Sequence, residues 1–185
     1  LIRHDITLPI AVVNSGGISK MIWVGENGEL SAFETGPGNA LIDQWVTSEA
    51  GIPMDQGGAI ASEGRFDAGY VKKVMSDAYF DKSLPKSLDR NDFAPPEPGS
   101  LSLSDGARSL ARITALAIIK GVEQLPAPPA MWIICGGGRF NAAIMHDLAE
   151  LAGSDLEAAP PARARRPEAN VFHPSSPARF NQFAN

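Results

Sequence analysis

Three short apolar runs open the chain, at residues 10–13, 21–24 and 30–33, each closed by a polar or glycine-bearing stretch. The first ends in Asn14-Ser15-Gly16-Gly17 and the second in Glu26-Asn27-Gly28-Glu29, where Asn-Gly is the strongest short hairpin signal. A three-stranded meander is therefore expected, its third strand stopped by Thr35-Gly36-Pro37-Gly38-Asn39. The period then changes. Leu41 with Trp45 and Ile42 with Val46 recur at four-residue spacing, which predicts a helix with Asn39 near its N-cap. Residues 51–64 are rich in glycine and small side chains and read as a loop, followed by a short helical pattern over 66–75. Residues 79–102, with Pro85, Pro95, Pro96 and Pro98, have no period and suit a surface crossing. Asp105 is placed to cap a helix running to about residue 123, with Leu110, Ile113, Leu116 and Ala117 as its buried stripe. Residues 131–135 form an apolar strand leading directly into Gly136-Gly137-Gly138-Arg139-Phe140-Asn141, and 142–152 regain helical spacing through Ile144, Leu148 and Leu151. Beyond Gly153, proline and arginine dominate without period, and 154–185 is expected to be a poorly ordered tail.

Composition narrows the class without changing this picture. With 185 residues the chain has room for about one domain and a small appendage, and 44% hydrophobic with 20% charged residues is ordinary globular usage. Sixteen basic against 21 acidic side chains give a net charge of −5, which supplies no field for a nucleic acid or an anionic membrane surface. Residues 110–122 are apolar but interrupted by Arg112 and Lys120, so no membrane span is expected. The single Cys135 excludes an internal disulfide and a multi-cysteine metal site, the three histidines are scattered, and a reducing, cytoplasmic compartment fits best. The chain opens on Leu1-Ile2-Arg3-His4 without methionine, and the expectation is a part of a longer polypeptide.

Candidate chemistry rests on three glycine turns, Asn14 to Gly17, Thr35 to Asn39 and Gly136 to Asn141. Backbone N–H groups approach a phosphate only where no Cβ intrudes, and a following helix adds the positive end of its dipole. One such turn alone reads as a tight connection; three in one domain point to a nucleotide. The common loops do not match. A P-loop needs G-x-x-x-x-G-K-S/T and the chain has no such step, and a dinucleotide fingerprint needs a glycine where Asn141 stands.

With these residues in view, the chain resembles the anhydro-N-acetylmuramic acid kinase family of the actin/hexokinase-like ATPase superfamily. Val13-Asn14-Ser15-Gly16-Gly17-Ile18-Ser19 resembles the family's V-N-x-G-G-I-S/A hairpin, and Thr35-Gly36-Pro37-Gly38-Asn39-Ala40-Leu41-Ile42-Asp43 is similar to its T-G-P-G-N-x-L-x-D segment. Residues 55–64 resemble D-x-D-G-x-x-A-x-x-G. Pro85-Lys86-Ser87 with Arg90 and Phe93 resembles P-K-S-x-x-R-x-x-F, and Cys135-Gly136-Gly137-Gly138 with Asn141 resembles C-G-G-G-x-x-N. The resemblance spans about residues 8–152 and matches the second half of the family only. The first-half strings G-T-S-x-D-G and A-G-G-Q-G-A-P, the latter carrying the family's general-base aspartate, do not occur. Within the match Ser15 replaces an aliphatic residue, Lys20 an asparagine, Glu34 an aspartate and Gly57 an aspartate.

The resemblance implies an α/β domain of ribonuclease H-like type over 1–153, in which a β-meander precedes helices and a strand–glycine turn–helix unit. It implies ATP with Mg²⁺, and a full enzyme that opens the 1,6-anhydro bond of its sugar with water while phosphorylating O6, as in peptidoglycan recycling. Gly16 and Gly17 would cradle phosphate with Asn14 bracing the turn, Gly36, Gly38 and Asn39 would line the cleft, and Gly136, Gly137 and Gly138 would pass under the adenosine with Asn141 capping a helix. The partner is then a small anhydrosugar, and homodimer formation stays open. No catalytic base and no metal ligand is assigned. Asp43 reads as a first-turn dipole residue or a base, Asp55 is equally divided, and Lys86 and Arg90 face either an anionic substrate or surface ion pairs. His146 reads as a helix-surface residue, Cys135 as packing, and Trp23, Trp45 and Trp132 as core. Two other readings remain beside the kinase: a nucleotide-binding remnant without turnover, and an α/β module whose glycine turns are structural and whose surface binds a protein.

Overall fold

The computed structural model describes residues 8–89 and 91–153, together with the backbone of residues 170–172 and 181–182. Strands β1 (Ile10–Ser15), β2 (Ile18–Val24) and β3 (Leu30–Pro37) form the expected antiparallel meander. The chain then runs through helices α1 (Asn39–Ala50), α2 (Ala59–Glu63), α3 (Ala68–Met75) and α4 (Leu103–Glu123) before returning as β4 (Met131–Cys135), parallel to β1, and closing with α5 (Ala142–Leu151). Two short strands, β5 (Asn170–Phe172) and β6 (Asn181–Gln182), extend the sheet to the order β3-β2-β1-β4-β5-β6. The order β3-β2-β1-β4, with β1 and β4 alone parallel, is the ribonuclease H-like α/β arrangement expected from the sequence. The rest of 154–185, expected as a tail, lies outside the described residues.

Alternation along the strands divides the sheet into two unlike faces. Ala11, Val13, Met21, Phe33, Trp132 and Ile134 point into a core shared with Leu41, Ile42, Trp45 and Val46 of α1, Leu110, Ile113 and Ile118 of α4, and Ile144 and Leu148 of α5. The intervening positions Val12, Asn14, Lys20, Ile22, Ala32 and Glu34 are half-buried or exposed, so the opposite face carries mixed side chains. All three tryptophans are buried, as the pattern predicts.

Several boundaries differ from the sequence reading for local reasons. Strand β3 continues through Thr35 and Gly36 to Pro37 because β2 pairs with it as far as Ile18↔Pro37. Gly38, not Asn39, is the N-cap residue of α1, which leaves Asp43 beyond the first turn. Ser102, not Asp105, caps α4 by accepting from the Asp105 amide at 3.1 Å, while Asp105 itself accepts from the Arg65 amide at 2.7 Å. The 51–64 loop contains α2, whose first turn is held by Asp55: its carboxylate accepts from Ile60 N at 2.8 Å and Ala61 N at 3.1 Å.

The tightest joint between α1 and α4 is Gly106 against Trp45. A Cβ at Gly106 would sit 2.2 Å from the indole, whose Nε1 donates to the Leu103 carbonyl at 2.8 Å. Gly106→Val is expected to lower the unfolding free energy by about 3 kcal/mol, since overpacking exceeds the ~1 kcal/mol that leaving glycine returns to a helix. Urea denaturation of the two proteins checks this, and an unchanged midpoint would mean that the indole moves aside freely.

Candidate functional site

The glycine turns lie far apart in sequence and meet at one end of the parallel pair β1 and β4. Their contact starts from backbone chemistry. The carbonyl of Gly16 accepts from the Asn39 amide at 2.9 Å, and that of Gly17 accepts from the amides of Gly38 at 3.0 Å and Ala40 at 3.3 Å. The β1–β2 turn thus caps α1, satisfying N–H groups that a helix start leaves without partners. These three amides are spent inside the protein. The amides of Gly16 and Gly17 themselves have no backbone acceptor among the described residues.

The third turn closes over the first. A Cβ at Gly136 would lie 2.3 Å from Asn14 Oδ1, and one at Gly138 would lie 2.1 Å from Ser15 Oγ. A Cβ at Gly38 would meet the Gly16 carbonyl oxygen at 2.3 Å, and one at Gly137 would approach Asn39 Nδ2 to 3.3 Å. Asn39 Nδ2 in turn donates to the Ser15 carbonyl at 3.4 Å. Glycine at these places is a condition of the three segments touching at all. Asn14, Gly17 and Gly137 are exposed and Gly16, Gly136 and Asn39 half-buried, so these six present the open surface of the junction. Gly38, Gly138 and Asn141 are buried beneath it.

Asn141 caps α5 as the sequence predicts, its Oδ1 accepting from Ala143 N at 3.1 Å and Ile144 N at 3.2 Å. Gly36 departs from expectation. It lies in β3 facing the core, where a Cβ would be 2.7 Å from the Ala117 Cβ, so it packs the sheet on α4 and does not line the junction.

Asn14 also lines a groove of about 650 Å³ on the open sheet face, whose polar rim includes Lys20, Glu34, Lys86, Ser87 and Cys135. Lys86 is not a free cation there. It is buried and its Nζ donates to the Phe80 carbonyl at 3.2 Å and the Tyr79 carbonyl at 3.5 Å, and burial holds its pKa below the ordinary lysine value. Glu34 pairs with Lys20 at 3.1 Å and accepts from the Leu88 amide, tying the 85–88 segment to β3. Arg90 lies outside the described residues. Cys135 is half-buried, and burial raises its thiol pKa, which suits packing.

The two carboxylates weighed as a base take different places. Both Asp55 oxygens are committed to α2. Asp43 is raised above the usual carboxylate range by burial, drawn partly back by the Asp55 amide. Among the described residues one cluster of three side chains could offer ligands to a divalent cation. The described residues bring together His146, Asp147 and Glu150 on α5, but Asp147 is fully buried and held by two guanidiniums. No such group of three stands at the glycine turns among the described residues. His146 is exposed, as expected.

Sequence reasoning missed that ion-pair network. Arg108 Nη1 and Nη2 grip Asp147 at 2.5 and 2.7 Å, and Arg112 Nη1 bridges Asp147 and Glu150 at 3.0 Å each. The four-residue spacing of the arginines was the available signal; their partners become evident only once α4 and α5 are known to pack.

Residues 1–160 match the family model described as anhydro-N-acetylmuramic acid kinase. Curated relatives of that name include those of Agrobacterium fabrum, 46% identical over 144 residues covering 78% of this chain and 39% of the relative, and Rhodospirillum rubrum, 45% identical over 141 residues covering 76% and 38%. The chain therefore spans about two fifths of the length of these relatives. A solved structure, the activator of the 2-hydroxyisocaproyl-CoA dehydratase from Clostridium difficile with bound ADPNP, aligns at TM-score 0.49 and 12% identity over 79% of this chain and 52% of that one.

Proposed function

Because this chain belongs to the anhydro-N-acetylmuramic acid kinase family, we propose that it forms the nucleotide-binding part of an ATP-dependent sugar kinase. In the whole reaction water opens the 1,6-anhydro bond, the γ-phosphoryl of ATP passes to O6, and N-acetylmuramic acid 6-phosphate and ADP leave, a step of peptidoglycan recycling in the cytoplasm. The observation that carries the reading is the convergence of Gly16-Gly17, Asn39 and Gly136-Gly137 on one surface, packed so closely that a Cβ at Gly136 would strike Asn14. Such a surface has the form of a backbone cradle for phosphate, since unshielded amides bind an anion where a side chain would block approach. In this role the Gly16 and Gly17 amides hold phosphate and Asn14 fixes the gap between the two turns. Asn141 holds α5 in place behind the third turn. No step is assigned to a metal ion through residues of this chain.

A second reading, a nucleotide-binding remnant without turnover, is favoured by the commitment of both Asp55 oxygens to α2. Both readings require the nucleotide. Titration of the 185-residue chain with a non-hydrolysable ATP analogue is expected to give saturable calorimetric binding. It should also raise the thermal midpoint, with about 2.7 kcal/mol of stabilisation at a hundredfold excess over Kd. A folded chain with no binding would overturn both. ATP-dependent sugar phosphorylation by the chain alone would remove the second.

A further inference from the structure

Phe140 is the residue at the junction that packing does not explain. It ends the single turn between β4 and α5, immediately before the Asn141 cap, and 65% of it is exposed. Its neighbour Arg139 is only 9% exposed, and its guanidinium carbon lies 4.1 Å from the centre of the Phe140 ring. The cation thus occupies one ring face from below, within the protein, while much of the ring faces solvent. The adjoining loop adds no bulk: Gly57 and Gly58 lie against the Phe140 carbonyl and the Asn141 side chain, both at positive φ and both without side chains. A flat, open ring on the same short turn as Gly137 is what a planar heteroaromatic base needs beside bound phosphates, because base and ring stack through their faces irrespective of hydrogen-bond pattern.

We propose that Phe140 is the stacking platform for the base of the bound nucleotide, a positioning residue whose ring is held by the Arg139 guanidinium beneath it. The inference rests on the nucleotide reading given above. It makes the site responsive to the base as well as the phosphates, and it predicts tolerance of different bases, since every base offers a π-face.

The test compares a non-hydrolysable ATP analogue with inorganic tripolyphosphate, which has the phosphates and no base, on the 185-residue chain and on Phe140→Ala and Phe140→Trp. Because the ring is exposed, both variants are expected to keep the parent circular dichroism and thermal midpoint. Phe140→Ala should weaken the ATP analogue about tenfold and leave tripolyphosphate unchanged. Phe140→Trp should keep the affinity, and its indole, exposed unlike the three buried native tryptophans, should be quenched on adding the ATP analogue. Equal affinities for the ATP analogue in the parent and Phe140→Ala would overturn the platform while leaving the nucleotide site standing. An equal loss for both ligands would also overturn it, by assigning the ring to the shape of the loop. Binding of neither ligand to the folded parent chain would overturn the nucleotide site and the platform with it.

Discussion

Asp147→Ala is expected to destabilise the chain by about 3–5 kcal/mol, a large share of what a domain of this size possesses. Asp147 is fully buried, accepts two hydrogen bonds from Arg108 and one from Arg112, and sits between guanidiniums that are themselves only 13% and 12% exposed. Removing the carboxylate strands two largely desolvated cations, and that penalty, more than the lost attraction, sets the size of the effect. Glu150 cannot take over. Its carboxyl is held below the usual range by Arg112 but it stands in solvent and reaches Arg112 alone. The control follows from the same physics: Arg108→Met combined with Asp147→Leu should recover part of the loss, since the stranded Arg108 charge is gone and only Arg112, still paired with Glu150, is left without its Asp147 partner. Urea unfolding of the parent, the single variant and the double variant measures this. A single-variant loss below about 1 kcal/mol would place the network among ordinary surface ion pairs.

The consequence reaches the junction. The network is the polar clamp between α4 and α5, and α5 is the helix whose cap, Asn141, follows directly on the glycine turn of β4. Loosening the clamp is expected to lower nucleotide affinity even where folding survives, without altering any group that touches the ligand.

How far the sequence reached can be judged from these same residues. The meander was legible because the three apolar runs and the Asn27-Gly28 turn are local signals, and Asn141 was legible as a cap because its acceptor serves amides two and three residues ahead. What remained hidden was non-local. That the Gly16 and Gly17 carbonyls cap α1 depends on contacts across more than twenty residues, which no local pattern announces. Gly36 was misplaced for a related reason: a glycine inside a turn-like string reads as conformational, whereas here it makes room for Ala117. Ser102 was overlooked in favour of Asp105 because either is a good cap, and the choice is settled by Asp105 being drawn to Arg65. The meeting of the three turns came from resemblance, and the backbone geometry supplies its cause.

That cause can be tested at one position. Gly136→Ala is expected to reduce affinity for the ATP analogue about a hundredfold, roughly 2.7 kcal/mol, while the chain remains folded. Gly136 has φ +82° with ψ −179°, an extended conformation essentially reserved for glycine that costs an alanine about 1–3 kcal/mol, and its new Cβ would also fall 2.3 Å from Asn14 Oδ1 and 2.7 Å from the Ser15 carbonyl oxygen. The turn can relieve both only by moving away from β1, which opens the gap between the Gly16-Gly17 amides and the third turn. Gly28→Ala separates strain from site: Gly28 has φ +84° but nothing within 4 Å of its Cβ position, and it lies in the β2–β3 turn. That variant should lose about 1–2 kcal/mol of stability and keep the parent affinity. If both variants fold and bind the ATP analogue equally well, the closeness of the three turns serves the fold alone.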